Sequence, residues 1–404
     1  MSDKLNIKIK ALGILDLLEF KKLVPNRQKR FEEASITPII KVPHNNALAN
    51  ELHPKKQVHT ITKVEEATSD MKTYTLKSDK PAYFRAGQYL SVKLNIDGHI
   101  VSRPYSISSS PEQTKNGEYT LTIKSSPEGF VSNYILDNWK EGDSVVTSAP
   151  EGNFYYEDLR DPKTIIALAG GAGITPFYSM AKSIYEGIED FNLTIIYGVR
   201  TEKDIAYKVD FDKFIKETDG KVKVIYVLSD VITKKKGYEI GFITKEIIKK
   251  YIPTNSDYSI FICGPQVMYN FVDKEIASFN LPIKNIRREM FGQINDIEAN
   301  IKFPKAKKGK KYNLIINMGG VQYKTVALSN ESVLVAIERV KGLVAPSRCR
   351  AGECGWCRSR LISGDVFIPE DNDGRRAADK KFGFIHPCAS FPISDLEIEV
   401  PTAK

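Results

Sequence analysis

The chain has 404 residues, 42% hydrophobic and 27% charged, with a formal net charge of +9. It is too long for one ordinary core and is composed like a globular protein, so roughly two to four domains are expected. No run of about 18 apolar residues occurs, so no membrane span is expected. A secretory leader is not expected either, because Asp16 and Glu19 break the apolar patch 11–18 and no small-residue cleavage site follows it. The positive excess sits in residues 302–311 (KFPKAKKGKK), six lysines without an acid. Nucleic-acid binding needs basic residues spread over a groove with aromatic platforms, so it is not expected. The run reads as a solvated, flexible tether.

Residues 1–55 form an N-terminal extension without a motif. Ile7 to Val24 fits one amphipathic helix ending near Pro25, and Pro38, Pro43, Asn45, Asn46 and Pro54 mark irregular chain after it. Residues 56–158 then carry short alternating strands (HTITKV, TYTLKS, QYLSVKLNI, RPYSIS, EYTLTIK, DSVVTS), with one helix from Phe130 to Trp139. That is the pattern of an antiparallel β-barrel. Over 159–296 the buried strands TIIALA, LTIIYGV, VKVIYVLS and YSIFIC alternate with helices, as in an α/β domain with a parallel sheet. Residues 297–311 are the Lys-rich linker. Residues 312–404 open with a hairpin and a helix starting at Ser329–Ser332.

The C-terminal domain holds Cys349, Cys354 and Cys357 at C-x4-C-x2-C spacing, completed by Cys388. This is the plant-type pattern for a 2Fe-2S cluster, in which a tight loop supplies three of four thiolates. Gly352 and Gly355 lie inside the loop, where the backbone must take positive φ and bring its N–H groups to the sulfurs. Zinc sites usually come as CxxC pairs and fit this spacing poorly. With four of the five cysteines in this pattern, a cytoplasmic location is expected rather than a disulfide framework.

In the barrel, Arg103-Pro-Tyr105-Ser106 ends a strand, preceded by Gly87-Gln88-Tyr89. Gly129-Phe-Val131-Ser132 opens the barrel's helix, whose free N–H groups suit a phosphate. In the α/β domain, Gly170-Gly171-Ala-Gly173-Ile-Thr175-Pro176 lies between a strand and a helix and allows close approach of a pyrophosphate. Cys263-Gly264-Pro265 ends a later strand. A cysteine there is ordinarily a small buried core residue.

Taken in order, these motifs resemble the ferredoxin–NADP reductase superfamily over about residues 56–292. The C-terminal stretch resembles plant-type ferredoxins over about residues 312–402, which implies a small α+β domain of β-grasp type. By that resemblance Arg103 binds flavin phosphate, Tyr105 covers the ring, Ser106 contacts N5 and Ser132 holds pyrophosphate. Gln88, Gly129 and Val131 belong to the same flavin set, and Lys124 either joins it or is a solvated surface lysine. Gly170, Gly171, Gly173, Thr175, Arg200, Gly264 and Pro265 make the nicotinamide set. Cys263 stands where hydride passes, in a positioning role, and Phe291 covers the other flavin face or is plain core. FAD is favoured over FMN. Asp230 would repel a 2′-phosphate and favours NADH, whereas Arg200 and Lys235 could reach one and favour NADPH.

The order of modules resembles reductases that feed oxygenases, of the phthalate dioxygenase reductase and phenylacetyl-CoA epoxidase reductase types. It implies an NAD(P)H-dependent reductase passing electrons through flavin and cluster to a separate acceptor protein. A terminal reductase of a small molecule, or a redox-sensing or scaffold subunit, are the rival readings. Arg348, Arg350, Arg358 and Arg360, around the cysteine loop, either face an acidic partner or are ordinary surface charges.

Overall fold

The computed structural model describes residues 14–34, 44–54, 56–127, 129–231, 236–254, 256–290 and 292–402. The chain divides into two compact units, Met1–Asn50 and Glu51–Lys404. The first unit contains α1 (Ile14–Glu32). Pro25 lies inside this helix rather than ending it, contrary to expectation. Past the one hydrogen bond proline forfeits, the strong helix formers Arg27, Gln28, Lys29 and Arg30 resume the ladder. The start expected at Ile7 lies outside the described residues. A second helix, α2 (His44–Leu52), occupies part of the stretch expected to be irregular. Pro54 follows it, and Pro38 and Pro43 lie outside the described residues.

The next strands are β1 (Gln57–Thr68), β2 (Met71–Lys77), β3 (Tyr89–Ile96), β4 (His99–Ser106), β5 (Glu118–Lys124) and β6 (Ser144–Thr147), with α3 (Phe130–Asn138) between β5 and β6. Among the described residues they form an antiparallel sheet in the order β4-β3-β6-β1-β2-β5. Ile107 bridges Leu121, and the Ser108 N–H donates to the Thr120 carbonyl at 2.8 Å, so the chain leaving β4 meets β5 and curls the sheet into a barrel. Alternation decides the faces: Ile61, Tyr74, Leu76, Leu90, Val92, Tyr119 and Leu121 point inward and are buried.

The parallel sheet follows: β7 (Thr164–Gly170), α4 (Thr175–Tyr185), β8 (Asn192–Val199), α5 (Lys208–Glu217), β9 (Val222–Leu228), β10 (Glu239–Ile240), α6 (Lys245–Tyr251), β11 (Ser259–Cys263), α7 (Gln266–Ile276) and β12 (Ile286–Glu289). Its order is β10-β9-β8-β7-β11-β12. Strands β7 and β11 are almost wholly apolar because helices cover both faces. The order reverses on either side of β7, so the crevice beyond the C-terminal ends of β7 and β11 is the place such sheets offer a ligand. Barrel and sheet are bolted together. Ser179 donates to the Ser109 carbonyl, Lys182 to Gln113 at 2.6 Å, and Tyr207 to Thr122.

The C-terminal part contains β13 (Lys311–Met318), β14 (Val321–Leu328), α8 (Val333–Glu338), β15 (Ser359–Ser363), β16 (Val366–Phe367), α9 (Ala377–Lys381), β17 (Phe384–Ile385), β18 (Phe391–Pro392) and β19 (Leu396–Glu399). One sheet runs β14-β13-β19-β15-β17 and a ribbon pairs β16 with β18. The parallel pairing of β13 with β19 beneath α8 gives the β-grasp arrangement. The Lys-rich segment is not a free tether. Ile294, Ile297 and Phe303 are 4%, 2% and 2% exposed and belong to this core, with Phe303 edge-on to Phe367. The lysines point outward from an anchored backbone. Hydrophobic side chains spaced among them outweigh the local charge.

Candidate functional site

The cysteine pattern closes into one cradle. Cys349, Cys357 and Cys388 are buried and Cys354 reaches the surface. The Cys357 and Cys388 sulfurs are 3.3 Å apart, and the Cys354 backbone N–H donates to Cys349 Sγ at 3.4 Å. Gly352 and Gly355 take φ of 89° and 68°. A Cβ at Gly352 would lie 2.1 Å from the Asn372 carbonyl oxygen, so the loop closes only with glycine there. Hydrogen bonds from Cys354 and Cys388 pull the Cys349 thiol well below the ordinary range. Thiolate character, convergent sulfurs and an amide aimed at one of them fit a 2Fe-2S cluster.

The four neighbouring arginines divide between two directions. Arg350 is buried and pairs with Glu338 through both nitrogens, at 2.6 and 3.0 Å. Arg348 lies 2.9 Å from Glu151 of the barrel and 3.4 Å over the Trp356 ring. Arg358 pairs with Asp379 and covers Phe384, and Arg360 is exposed. Three of the four are therefore engaged in ion pairs within the chain.

On the barrel, Arg103 and Tyr105 share a face of β4 while Ser106 points the other way and is buried. The Arg103 guanidinium approaches both Glu338 oxygens at 3.4 Å. Burial pushes the Tyr105 hydroxyl up. Gln88 accepts from the Arg85 N–H at 2.9 Å and donates to the Gly152 carbonyl at 3.1 Å, so its amide is committed to holding turns. Val131 packs into the barrel core, leaving only its backbone for a ligand. Gly129 caps α3, and a Cβ there would fall 2.5 Å from Ser132 Oγ. Phe291 and Lys235 lie outside the described residues.

A cavity of about 1090 Å³ opens between the barrel and the ends of β7 and β11. Gly170, Gly171, Arg200 and Pro265 line it. Lys124 lines it too, paired with Asp70 at 3.1 Å and with Nζ 3.8 Å from where a Gly171 Cβ would be. It stands over the Gly170–Gly171 turn. Gly173 does not face the cavity. A Cβ there would sit 2.1 Å from the Cys263 oxygen, so its task is to let the turn press against β11. Thr175 is buried and its hydroxyl donates to the Ala172 carbonyl at 3.0 Å, closing the turn. Gly264 is packed beneath the Met268 sulfur, which would lie 2.4 Å from a Cβ at that position. Arg200 bonds Asp230 at 2.8 Å, so the two charges weighed against each other neutralise one another. Phe242 and Phe271, tilted together at 5.9 Å on the cavity wall, carried no sequence signal beyond exposed aromatics.

Cys263 is 4% exposed and stands in register with Glu289 of the neighbouring strand. Tyr269 pins this corner by donating to the Glu289 carbonyl and accepting from the Gly264 N–H. Burial raises the Cys263 thiol and, with a further push from Glu289, keeps it protonated rather than nucleophilic. Burial likewise raises the Glu289 carboxyl, helped by Glu353 and Cys349 of the cluster loop. The edge of the nucleotide domain and the cluster loop are thus electrostatic neighbours.

Three domain families match in series. The oxidoreductase FAD-binding domain covers residues 58–156, the oxidoreductase NAD-binding domain 167–274, and the 2Fe-2S iron–sulfur cluster binding domain 316–392. The glycine betaine monooxygenase reductase subunit of Chromohalobacter salexigens is 27% identical over 347 residues, covering 83% of this chain and 93% of that protein. NADH-cytochrome b5 reductase 1 of Dictyostelium discoideum is 35% identical over 205 residues, covering 50% of this chain and 68% of that one. The solved structure of phthalate dioxygenase reductase shares the fold with a TM-score of 0.59 at 24% identity, over 86% of this chain and 98% of that one. The chain belongs to the ferredoxin–NADP reductase superfamily, as an NAD(P)H-dependent oxidoreductase in which FAD-binding and NAD-binding domains precede a 2Fe-2S domain.

Proposed function

We propose that the protein takes hydride from NADH and delivers single electrons to a separate oxygenase component in the cytoplasm. The observation that carries this reading is the meeting of three elements at one corner. Cys263 and Glu289 end adjacent strands of the nucleotide domain, a Cβ at Gly152 of the barrel would lie 3.7 Å from Glu289 Oε2, and Arg348 of the cluster loop bonds Glu151 of the barrel at 2.9 Å. Bound flavin and cluster supply the redox chemistry, the flavin accepting an electron pair and releasing it singly.

The chain's own residues bind and orient. Arg103 and the α3 N-terminus at Gly129–Ser132 would hold the flavin phosphates, and Tyr105 and Ser106 would bind and orient its ring. Gly170, Gly171 and Lys124 hold the nucleotide pyrophosphate, and Cys263 with Gly264 and Pro265 positions the nicotinamide. Asp230 cancels Arg200 and offers a carboxylate to a ribose hydroxyl, which supports NADH over NADPH. A monooxygenase partner is supported by the name of the Chromohalobacter relative.

Anaerobic titration of the purified protein with NADH and then NADPH, following flavin and cluster absorbance together, tests the reading. Bleaching of both cofactors by NADH is expected. Bleaching of neither would replace it with the sensor or scaffold reading.

A further inference from the structure

Glu338, at the C-terminal end of α8, is 5% exposed and lies between two arginines from different modules. Arg350 comes from the cluster loop and grips both carboxylate oxygens, a bidentate arrangement that fixes direction as well as distance. Arg103 comes from the Arg-Pro-Tyr-Ser strand and reaches the same two oxygens from the barrel side, while donating to the Ser102 carbonyl at 2.8 Å. One carboxylate thus joins the residue after the first cluster cysteine to the candidate flavin-phosphate arginine.

Two further observations single out this triad. Arg350 has φ of +61°, a conformation that a long side chain adopts only when its surroundings hold it. Arg350 is also 2% exposed, so its charge has left water and must be matched inside. The surrounding seam follows the same strand of the barrel. Gly342 donates its N–H to the Gly98 carbonyl at 2.9 Å, His99 Nδ1 lies 3.4 Å from the Glu338 carbonyl oxygen, and Ser102 shares a hydroxyl contact of 2.8 Å with Ser347. The segment 338–350 therefore reads β4 at successive points and ends at the cluster.

The charge count has a further consequence. Two guanidiniums share one carboxylate, so the triad keeps one positive charge in excess. Burial, and then the nearness of Arg350, lower the Arg103 guanidinium to about 10. A phosphate placed at Arg103 would complete the neutralisation without breaking the link to Arg350.

We propose that Glu338 is a positioning residue that clamps Arg103 to Arg350 and so fixes the separation of the flavin and cluster sites. The proposal rests on the reading of Arg103 as flavin-binding and of the cysteine loop as cluster-binding. Electron exchange between fixed sites needs no bond to form or break, so what the chain contributes is geometry, and small misplacements are expensive.

The test uses the cofactor-loaded full chain with Glu338→Gln and Glu338→Asp variants. Backbone hydrogen exchange over 99–106 and 348–357 is measured in the oxidised protein without nucleotide. Flavin and cluster bleaching are then followed separately after anaerobic mixing with NADH. In Glu338→Gln both segments lose protection together, flavin bleaching stays within about twofold, and cluster bleaching slows by about tenfold or more. Glu338→Asp keeps the charge and falls between. If Glu338→Gln fails to load its cofactors, the aspartate variant decides. Wild-type protection and wild-type cluster bleaching in it overturn the proposal, and so does equal slowing of both bleaching phases. Absence of flavin bleaching in the unaltered protein would instead overturn the electron-path reading on which the proposal stands.

Discussion

Arg348 ties Glu151 of the barrel to Trp356 of the cluster loop, bonding the one at 2.9 Å and stacking 3.4 Å over the other. Burial raises the Glu151 carboxyl and Arg348 opposes that rise. Truncation would leave a buried carboxylate without its cation. Arg348→Ala is expected to cost about 2 kcal/mol, reduced from the cost at a fully buried pair because Arg348 is half-buried. Unfolding of the Arg348→Ala, Glu151→Gln and double variants checks it, the double variant losing less than the sum.

Gly173→Ala should disable the nucleotide turn. The added methyl meets the Cys263 oxygen at 2.1 Å, and backbone on both sides leaves no side chain to swing aside. Flavin content should stay near the wild-type level while NADH binding weakens by about tenfold or more, as turn and strand end separate. Equilibrium titration with NADH measures it. Wild-type affinity would mean that the strand end relaxes freely.

Asp230→Ala should shift the choice of nucleotide. Its removal frees Arg200, which otherwise spends its charge on the carboxylate. The ratio of kcat/KM for NADPH to that for NADH should rise by about tenfold, about 1.4 kcal/mol. Steady-state assays with both nucleotides and a small electron acceptor read this directly.

His59 gives the barrel an acid sensitivity. It is 1% exposed, bonded to Thr147 at 2.9 Å and edge-on to Tyr119, and burial lowers it to about 4. The unfolded chain takes up the proton near pH 6.5 and the folded chain resists it down to about 4. Stability is therefore full above about pH 6.5 and drains as pH falls towards 4, by about 3 kcal/mol in all. Comparing denaturant midpoints of the protein and its His59→Gln variant from about pH 8 to pH 4 isolates this contribution. The two curves should converge as the pH falls.

The cysteine loop, the Gly-rich turn and the strand periods were legible because each is a local pattern with a local cause. Cys349, Cys354 and Cys357 stand within nine residues, and β7 announces itself by an unbroken apolar run. Glu338 was not legible. Nothing in Val-Leu-Val-Ala-Ile-Glu distinguishes a helix-end carboxylate that will meet Arg103, 235 positions away, from one that will face water. The place of Lys124 across from Gly171 was not legible for a related reason. Its strand was evident, but which domain would lie across from its end depends on how barrel and sheet pack. Pro25 and the Lys-rich run misled because composition was read where the flanking residues decide.

The burial of Ile294, Ile297 and Phe303 against the C-terminal sheet changes where the chain can be cut. A fragment begun after the lysines, at about residue 312, would lack three core side chains and expose the apolar floor they cover. The stretch that composition advertises as a tether is the selvedge of the last module. The cluster thus rides on a module whose edge begins before the lysines.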